Sequence, residues 1–380
     1  MKITRIDTFL VNVGRRNWPF VKVHTDEDGL YGVGEAYSCG PDRATVEVIR
    51  DFESWLVGHD PCDVGRLWHL MYAGSRFPPG VVVSAAISGI EQALWDIAGK
   101  AAGLPVHRLL GGKYRDRIRV YCHVRGDTPQ QVAEHARQRV QNEGFSALKM
   151  SPLRPGSEQM PWSDTASHAA ERLAAVRRAV GDDVDIGLDP HATIFEPAQA
   201  HELCRVLEPY RPFFVEEPLR PEHYAAMARL SHKVEVPIAT GEMLYNKYQF
   251  RDLLALQAVD IVQPDICITG VGELLKIAAL AESHYVTVAP HNPCGPVANA
   301  VNAQVAATFH NFLILEYLPD NDEARRSLVD HAVPLVDGYL ELSERPGWGI
   351  DLNEEILSKY PYRPWRRPHL TRPDGAQAFQ

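Results

Sequence analysis

Six polar residues recur along the second half of the chain at a nearly constant interval: Asp189, Glu216, Glu242, Asp265, His291 and Glu316. Successive numbers differ by 27, 26, 23, 26 and 25. Each ends or closely follows a short apolar run, such as Pro212-Phe-Phe-Val before Glu216 and Phe312-Leu-Ile-Leu before Glu316. A strand, a loop and a helix together take about that many residues. One polar group at the end of each successive strand is what a (β/α) barrel presents around its catalytic rim. The rhythm therefore predicts an α/β chain, a TIM-type (β/α) barrel, and the place of its active site.

The rhythm is absent from residues 1–115. Ile3–Val13, Pro19–His24 and Leu30–Glu35 read as strands, with Asp26-Glu27-Asp28-Gly29 as a turn. Helical patterns follow over Arg43–Leu56, Val64–Met71 and Val82–Ala102, the last stopping before Gly103. This predicts an α+β capping domain. The barrel occupies 116–334, with about eight strand signals. Its loop Ser151–Ser163, rich in Pro and Gly, stretches the step from Lys149 to Asp189 to 40 residues and lies on the rim side. Residues 335–380 look irregular and are expected to pack back on the capping domain.

A net charge of −10 argues against a nucleic-acid binder, which needs a basic face. The six cysteines are scattered without a C-x-x-C pair, so buried free thiols are expected rather than a zinc or disulfide framework. No signal-like N-terminus and no run of about 18 apolar residues is seen. The expectation is a cytoplasmic protein without membrane partners.

Asp189, Glu216 and Glu242 come from three successive strand ends. Three carboxylates suit a hard cation, most simply Mg²⁺, with positions left for substrate. Asp265 and His291 follow one strand apart, where a carboxylate can orient an imidazole as a general base. His191 lies two residues past Asp189. Alternation along an extended segment would place its imidazole beside the cation, across the barrel from His291. Lys149 ends the second strand, where a cation can neutralise an enolate or bind a carboxylate. Two histidines flanking a metal-bound carboxylate define a reaction: one takes the α-proton, and the other protonates a β-hydroxyl so that it leaves as water.

These residues carry a resemblance. Ala93-Leu-Trp-Asp-Ile-Ala-Gly-Lys100, Leu109-Leu-Gly-Gly112, Glu216-Glu-Pro218, Thr240-Gly-Glu242, Gln263-Pro-Asp265 and Pro290-His291 together resemble the mandelate racemase group of the enolase superfamily. The likeness covers essentially the whole chain and implies a modified TIM barrel of (β/α)7β type. Within the group the chain is most similar to acid-sugar dehydratases of the D-galactonate kind, through Asp189-Pro-His191 and the Asp265/His291 pair. The resemblance implies His191 as acid and His291 as base. It assigns the metal to Glu216 rather than Glu217, a choice that spacing leaves open. It gives Glu316 a hydrogen bond to the substrate carboxylate or enolate, and it implies a homo-oligomer.

One departure is informative. The racemase branch ends its second strand Lys-x-Lys, the later lysine serving as a second base, whereas this chain has Lys149-Met150-Ser151. One-sided proton abstraction followed by elimination is therefore expected. An epimerase or cycloisomerase of a related acid is the alternative. A non-catalytic barrel would have lost ligands, yet all are present. Substrate choice is expected from the cap, with Arg15, Arg16, Trp18 and Tyr37 as candidates. Gly32-Val-Gly34 and Gly270-Val-Gly272 lack the remainder of a dinucleotide fingerprint.

Overall fold

The computed structural model describes residues 1–14, 16–74, 76–319, 323–364 and 369–379. Strands β1 (Ile3–Val13), β2 (Arg16–Thr25) and β3 (Tyr31–Glu35) form an antiparallel meander in chain order. Helices α1 (Asp42–Leu56), α2 (Val64–Ala73) and α3 (Val81–Ala102) follow, close to where the apolar periodicity puts them. Gly103 ends α3 in the left-handed conformation, φ 66°, which a residue without a Cβ adopts at little cost.

Helix α3 departs from one expectation. By length and composition it is apolar enough to cross a membrane, with a mean hydropathy of 1.3 over 18 residues. However, 72% of that window is buried inside the protein. Ile90, Leu94 and Ile97 are fully enclosed, so α3 is a core helix. Its backbone lies almost on the sheet. A Cβ on Gly32 would fall 2.0 Å from the Ala93 carbonyl oxygen. Packing thus accounts for the Gly-x-Gly of β3. Gly32→Ala is expected to destabilise the protein by about 3 kcal/mol. The check is a lower chemical-denaturation midpoint at unchanged slope. The second Gly-x-Gly serves Glu91 of α3. Its carboxylate accepts the N–H groups of Val271 and Gly272, both at 2.9 Å, and ties the cap to the barrel.

After a short α4 (Val106–Leu109) the barrel begins. Its strands are β4 (Arg117–His123), β5 (Ala147–Met150), β6 (Asp185–Leu188), β7 (Phe214–Glu216), β8 (Ile238–Thr240), β9 (Ile261–Val262), β10 (Thr287–Val288) and β11 (Leu315–Tyr317). Adjacent strands from β4 to β10 pair in parallel. β11 closes the ring on β4, and a Val288–Phe312 bridge joins it to β10. The intervening helices are α5 (Pro129–Glu143), α6 (Trp162–Val180), α7 (Pro197–Leu207), α8 (Tyr224–Ser231), α9 (Lys247–Ala255), α11 (Val271–Ser283) and α12 (Pro296–Ala306), with a short α10 (Ile266–Thr269) before α11. Helix α5 shows its sequence logic plainly. Thr128 and Gln131 form a capping box, Pro129 opens the first turn, and Gly144 closes the last at φ 73°.

Inside the ring, Tyr121, Ala147, Phe214, Ala239, Ile261, Ala289 and Ile314 form one buried layer. Gly187 of β6 completes it, because a Cβ there would strike the Phe214 ring at 2.6 Å. Side chains two residues further along a strand face the same way. The next layer toward the C-terminal rim is therefore His123, Lys149, Asp189, Glu216, Gly241, Gln263, His291 and Glu316. An apolar plug thus carries a polar floor.

The C-terminal segment is more ordered than its composition suggests. A hairpin of Leu335–Val336 and Tyr339–Glu341 pairs antiparallel with β4 and extends the barrel sheet. Beyond it the chain reaches the cap. The Trp348 backbone N–H donates to Asp96 Oδ1 and its indole N–H to Gln92 O, both at 2.8 Å. Asn17 Nδ2 donates to Arg363 O at 2.9 Å.

Candidate active site

The rim floor gathers carboxylates. Asp189, Glu216 and Glu242 each bring an oxygen within 4.8 Å of the other two. Glu217, the alternative that spacing leaves open, points elsewhere and accepts from Thr240 Oγ1 at 2.8 Å. Its Oε2 is buried without a hydrogen-bond partner. Burial pushes the Glu216 carboxyl up to about 8, against the pull of Lys149. Burial, with Glu242 beside it, drives Glu217 well above the usual carboxylate range. Such a cluster calls for positive charge. Hard oxygen donors without nitrogen or sulfur among them fit Mg²⁺.

Lys149 supplies part of that charge. Its amine lies 2.9 Å from both Glu216 oxygens, 3.3 Å from Asp189 Oδ2 and 3.1 Å from Glu316 Oε1. Burial pulls its pKa down, but Glu216 and Glu316 outweigh this and hold it well above the ordinary value. Gln263 Nε2 donates to Glu216 Oε2 at 2.7 Å. Glu316 is held from both sides. His123 Nε2 donates to Oε1, and the Asn292 N–H donates to Oε2 at 2.8 Å. Burial opposes the Glu316 charge, yet Lys149, His291 and His123 keep its carboxyl well below the usual range.

The Asp265/His291 pair forms as the adjacent strand ends predict. His291 Nδ1 donates to Asp265 Oδ2 at 2.8 Å, while Asp265 Oδ1 accepts the Cys267 N–H at 2.7 Å. This fixes the tautomer and leaves Nε2 aimed at the cluster, 3.1 Å from Glu242 Oε2 and 3.7 Å from Glu316 Oε2. Burial lowers the imidazole pKa, but Glu242, Glu316 and Asp265 outweigh it and push it up to about 10. A base must be able to lose that proton. The same carboxylates therefore need neutralising, a second reason for a cation between them.

His191 reaches the cluster by another route than strand alternation. β6 ends at Leu188, and the chain then turns, with His191 and Ala192 both left-handed at φ 54° and 53°. The His191 N–H donates to Asp189 Oδ1 at 2.7 Å, and its Nε2 lies 3.1 Å from Asp189 Oδ2. The ring is 54% exposed. Backbone held in this sparsely populated region is a mark of functional turns. Ser151, where a racemase would carry its second lysine, spends its hydroxyl on Leu153 O at 3.2 Å.

Of the cap candidates, Tyr37 comes nearest the base, its ring centroid 6.1 Å from that of His291. Arg16 lies over Tyr37 at 5.7 Å and donates to Pro293 O at 3.5 Å, so it borders the His291 loop. Trp18 is buried in the core with the Arg325 guanidinium 4.6 Å from its ring centre, which is a packing position. Arg15 lies outside the described residues. The residues that the 26-residue rhythm passes over are His123 and Gln263. Both occupy floor positions two residues above the apolar plug, so the strand register was the signal that could have found them.

Comparison with known proteins agrees with this architecture. Residues 6–111 match the mandelate racemase/muconate lactonizing enzyme N-terminal domain, and residues 131–356 match the enolase C-terminal domain-like family. D-galactonate dehydratases from Variovorax paradoxus and Xanthomonas oryzae are 37% and 36% identical, over the full length of both chains in each case. A crystal structure of an enolase from Agrobacterium radiobacter, named as a candidate galactarate dehydratase and bound to Na and L-malate, superposes with a TM-score of 0.95. It is 40% identical over 100% of both chains. A dehydratase-like structure from Mesorhizobium loti gives 0.88 at 34% identity, over 96% of this chain and 99% of that one. The chain therefore belongs to the mandelate racemase/muconate lactonizing enzyme family of the enolase superfamily, and it is a hydro-lyase.

Proposed function

We propose that the protein dehydrates a sugar acid, an aldonate such as galactonate or a relative, to the 2-keto-3-deoxy acid through an enolate, with Mg²⁺ as cofactor. One observation carries the reading: the His291 and His191 imidazoles abut the same carboxylate cluster from two sides, each 3.1 Å from one of its members. Asp189, Glu216 and Glu242 would hold Mg²⁺, which supplies positive charge against the substrate carboxylate and the enolate derived from it. His291 Nε2, with Asp265 fixing the opposite nitrogen, takes the α-proton. Lys149 stands in the floor as a further cation for the enolate oxygens. The resemblance gives Glu316 a hydrogen bond to the same oxygens; its carboxylate, held ionised by Lys149, His291 and His123, must first take up a proton to donate it. His191 delivers a proton to the β-hydroxyl, which departs as water, and the enol tautomerises to the ketone. Arg16 and Tyr37, beside the base, serve the distal end of the substrate; Trp18 supports them from the core, and Arg15 belongs to the same cap segment. The galactarate named for the Agrobacterium protein is also a sugar acid, an aldarate rather than an aldonate.

The cytoplasm fits six free cysteines, which a reducing compartment keeps unpaired. The family resemblance supports a homo-oligomer, a state read by light scattering. The test of function is incubation with Mg²⁺ and a panel of aldonic and aldaric acids. A 2-keto acid trapped by semicarbazide is expected from at least one of them, and chelation should abolish it. Mg²⁺ at about 100 times its Kd should also stabilise the fold by about 2.7 kcal/mol. Solvent deuterium at the α-carbon of an otherwise unchanged or epimerised acid, with no 2-keto product from any, would point to the epimerase alternative.

A further inference from the structure

The last described residues fold into a hairpin that lies over the rim. Thr371 bridges Gln377 in antiparallel fashion. The Arg372 N–H donates to Ala376 O at 2.7 Å and the Ala378 N–H to Leu370 O at 2.9 Å. The turn is Pro373-Asp374-Gly375, with Gly375 at φ 86° and Asp374 Oδ1 accepting the Ala376 N–H at 3.0 Å. This hairpin touches three successive rim loops. Gln159, in the loop after β5, donates its side-chain amide to the Thr371 carbonyl. Phe195, in the loop after β6, stacks on Phe379 with centroids 5.8 Å apart and planes at 20°. Arg220, in the loop after β7, lies 5.1 Å from the centre of the same Phe379 ring and is paired with Glu222. Phe379 therefore joins the loop that carries His191 to the loop that follows Glu216.

The His191 loop is anchored on its inner side. The Ala192 N–H donates to Glu217 O at 2.9 Å, Thr193 Oγ1 donates to Pro190 O at 2.7 Å, and Ile194 is buried. On the outer side Phe195 is 65% exposed, and its stacking on Phe379 is what holds it. His191 itself is more than half exposed. Its imidazole must stay within proton-transfer distance of a leaving hydroxyl, a geometry in which a shift of about 1 Å costs up to a hundredfold in rate. The base sits elsewhere: His291 is buried against Asp265 and neighbours Tyr37 of the cap, which the hairpin does not touch in any described contact.

We infer that Phe379 is a positioning residue for the acid. By clamping Phe195 and Arg220, the C-terminal hairpin fixes the loop that presents His191 to the leaving group. The inference rests on the dehydratase reading. Its test is Phe379→Ala in the full-length chain with Mg²⁺ in D₂O, following 2-keto acid formation and α-deuterium incorporation side by side. Dehydration is expected to fall by about tenfold while exchange stays unchanged. Phe379→Tyr should restore dehydration, and Phe195→Ala should reproduce the loss. A parallel fall of both rates, or no change in either, would overturn the positioning role while leaving the enzyme a dehydratase. A wild-type protein that neither exchanges the α-proton nor forms a 2-keto acid from any sugar acid would overturn the function and this inference together.

Discussion

His291→Asn is expected to leave a folded protein that makes no detectable 2-keto acid and exchanges no α-proton in D₂O. The loss should reach about 10³-fold or more, since positioned general bases contribute about 10²–10⁴-fold. The geometry makes Asn the informative replacement. Its amide can still donate to Asp265 Oδ2, which accepts from His291 at 2.8 Å, so the buried carboxylate is not stranded. Asp265 also keeps its 2.7 Å bond from the Cys267 N–H. The substitution removes the Nε2 lone pair that would take the proton, and with it the cation that His291 places beside Glu242 and Glu316. An unchanged melting temperature and Mg²⁺ affinity would show that the site is otherwise whole. Deuterium entering the substrate at the wild-type rate would mean that another group is the base, and the Asp265/His291 assignment would fall.

The rhythm of polar residues was legible because each strand ends where its apolar plug residue gives way to the floor. Asp189, Glu216, His291 and Glu316 stand two residues above Gly187, Phe214, Ala289 and Ile314, so a fixed spacing catches them. Glu242 and Asp265 do not share that register. Their floor positions belong to Gly241 and Gln263, and the two acids reach inward from the loops just beyond. Gly241 stands at φ 146°, and a Cβ there would meet the Gln263 backbone nitrogen at 2.8 Å, which lets strands β8 and β9 close at this level. His123 was hidden for the opposite reason. It sits in the floor register on β4, two strands before the periodic series starts, and a lone histidine in an apolar strand announces nothing by itself. The Asp189-Pro190-His191 turn was legible in composition but not in conformation. Period-two alternation puts both side chains on one face, and the structure does so with two left-handed residues instead. The order of the C-terminal segment was the least legible. Its strand at Tyr339–Glu341 is stabilised by pairing with Arg117–Arg119, over two hundred residues away in the chain. Local propensity cannot report a partner at that distance.

His191→Asn should separate the two halves of the reaction. Asparagine tolerates the left-handed backbone better than most residues, so the φ of 54° at this position survives the change. The backbone N–H that donates to Asp189 Oδ1 at 2.7 Å also remains, and with it the orientation of a metal-ligand candidate. What disappears is the imidazole proton. The His291 side of the site is untouched, so α-deuterium should enter the substrate at close to the wild-type rate, while 2-keto acid formation falls by about 10³-fold. The result orders the residues by role. Loss of the base stops both readouts, and loss of the acid stops only the second. Weakening the clamp at Phe379 slows the second by a smaller factor that an aromatic replacement reverses. Were exchange to vanish in His191→Asn with fold and Mg²⁺ binding intact, the histidine beside Asp189 would have to act before the enolate forms. Elimination would then need a different proton donor.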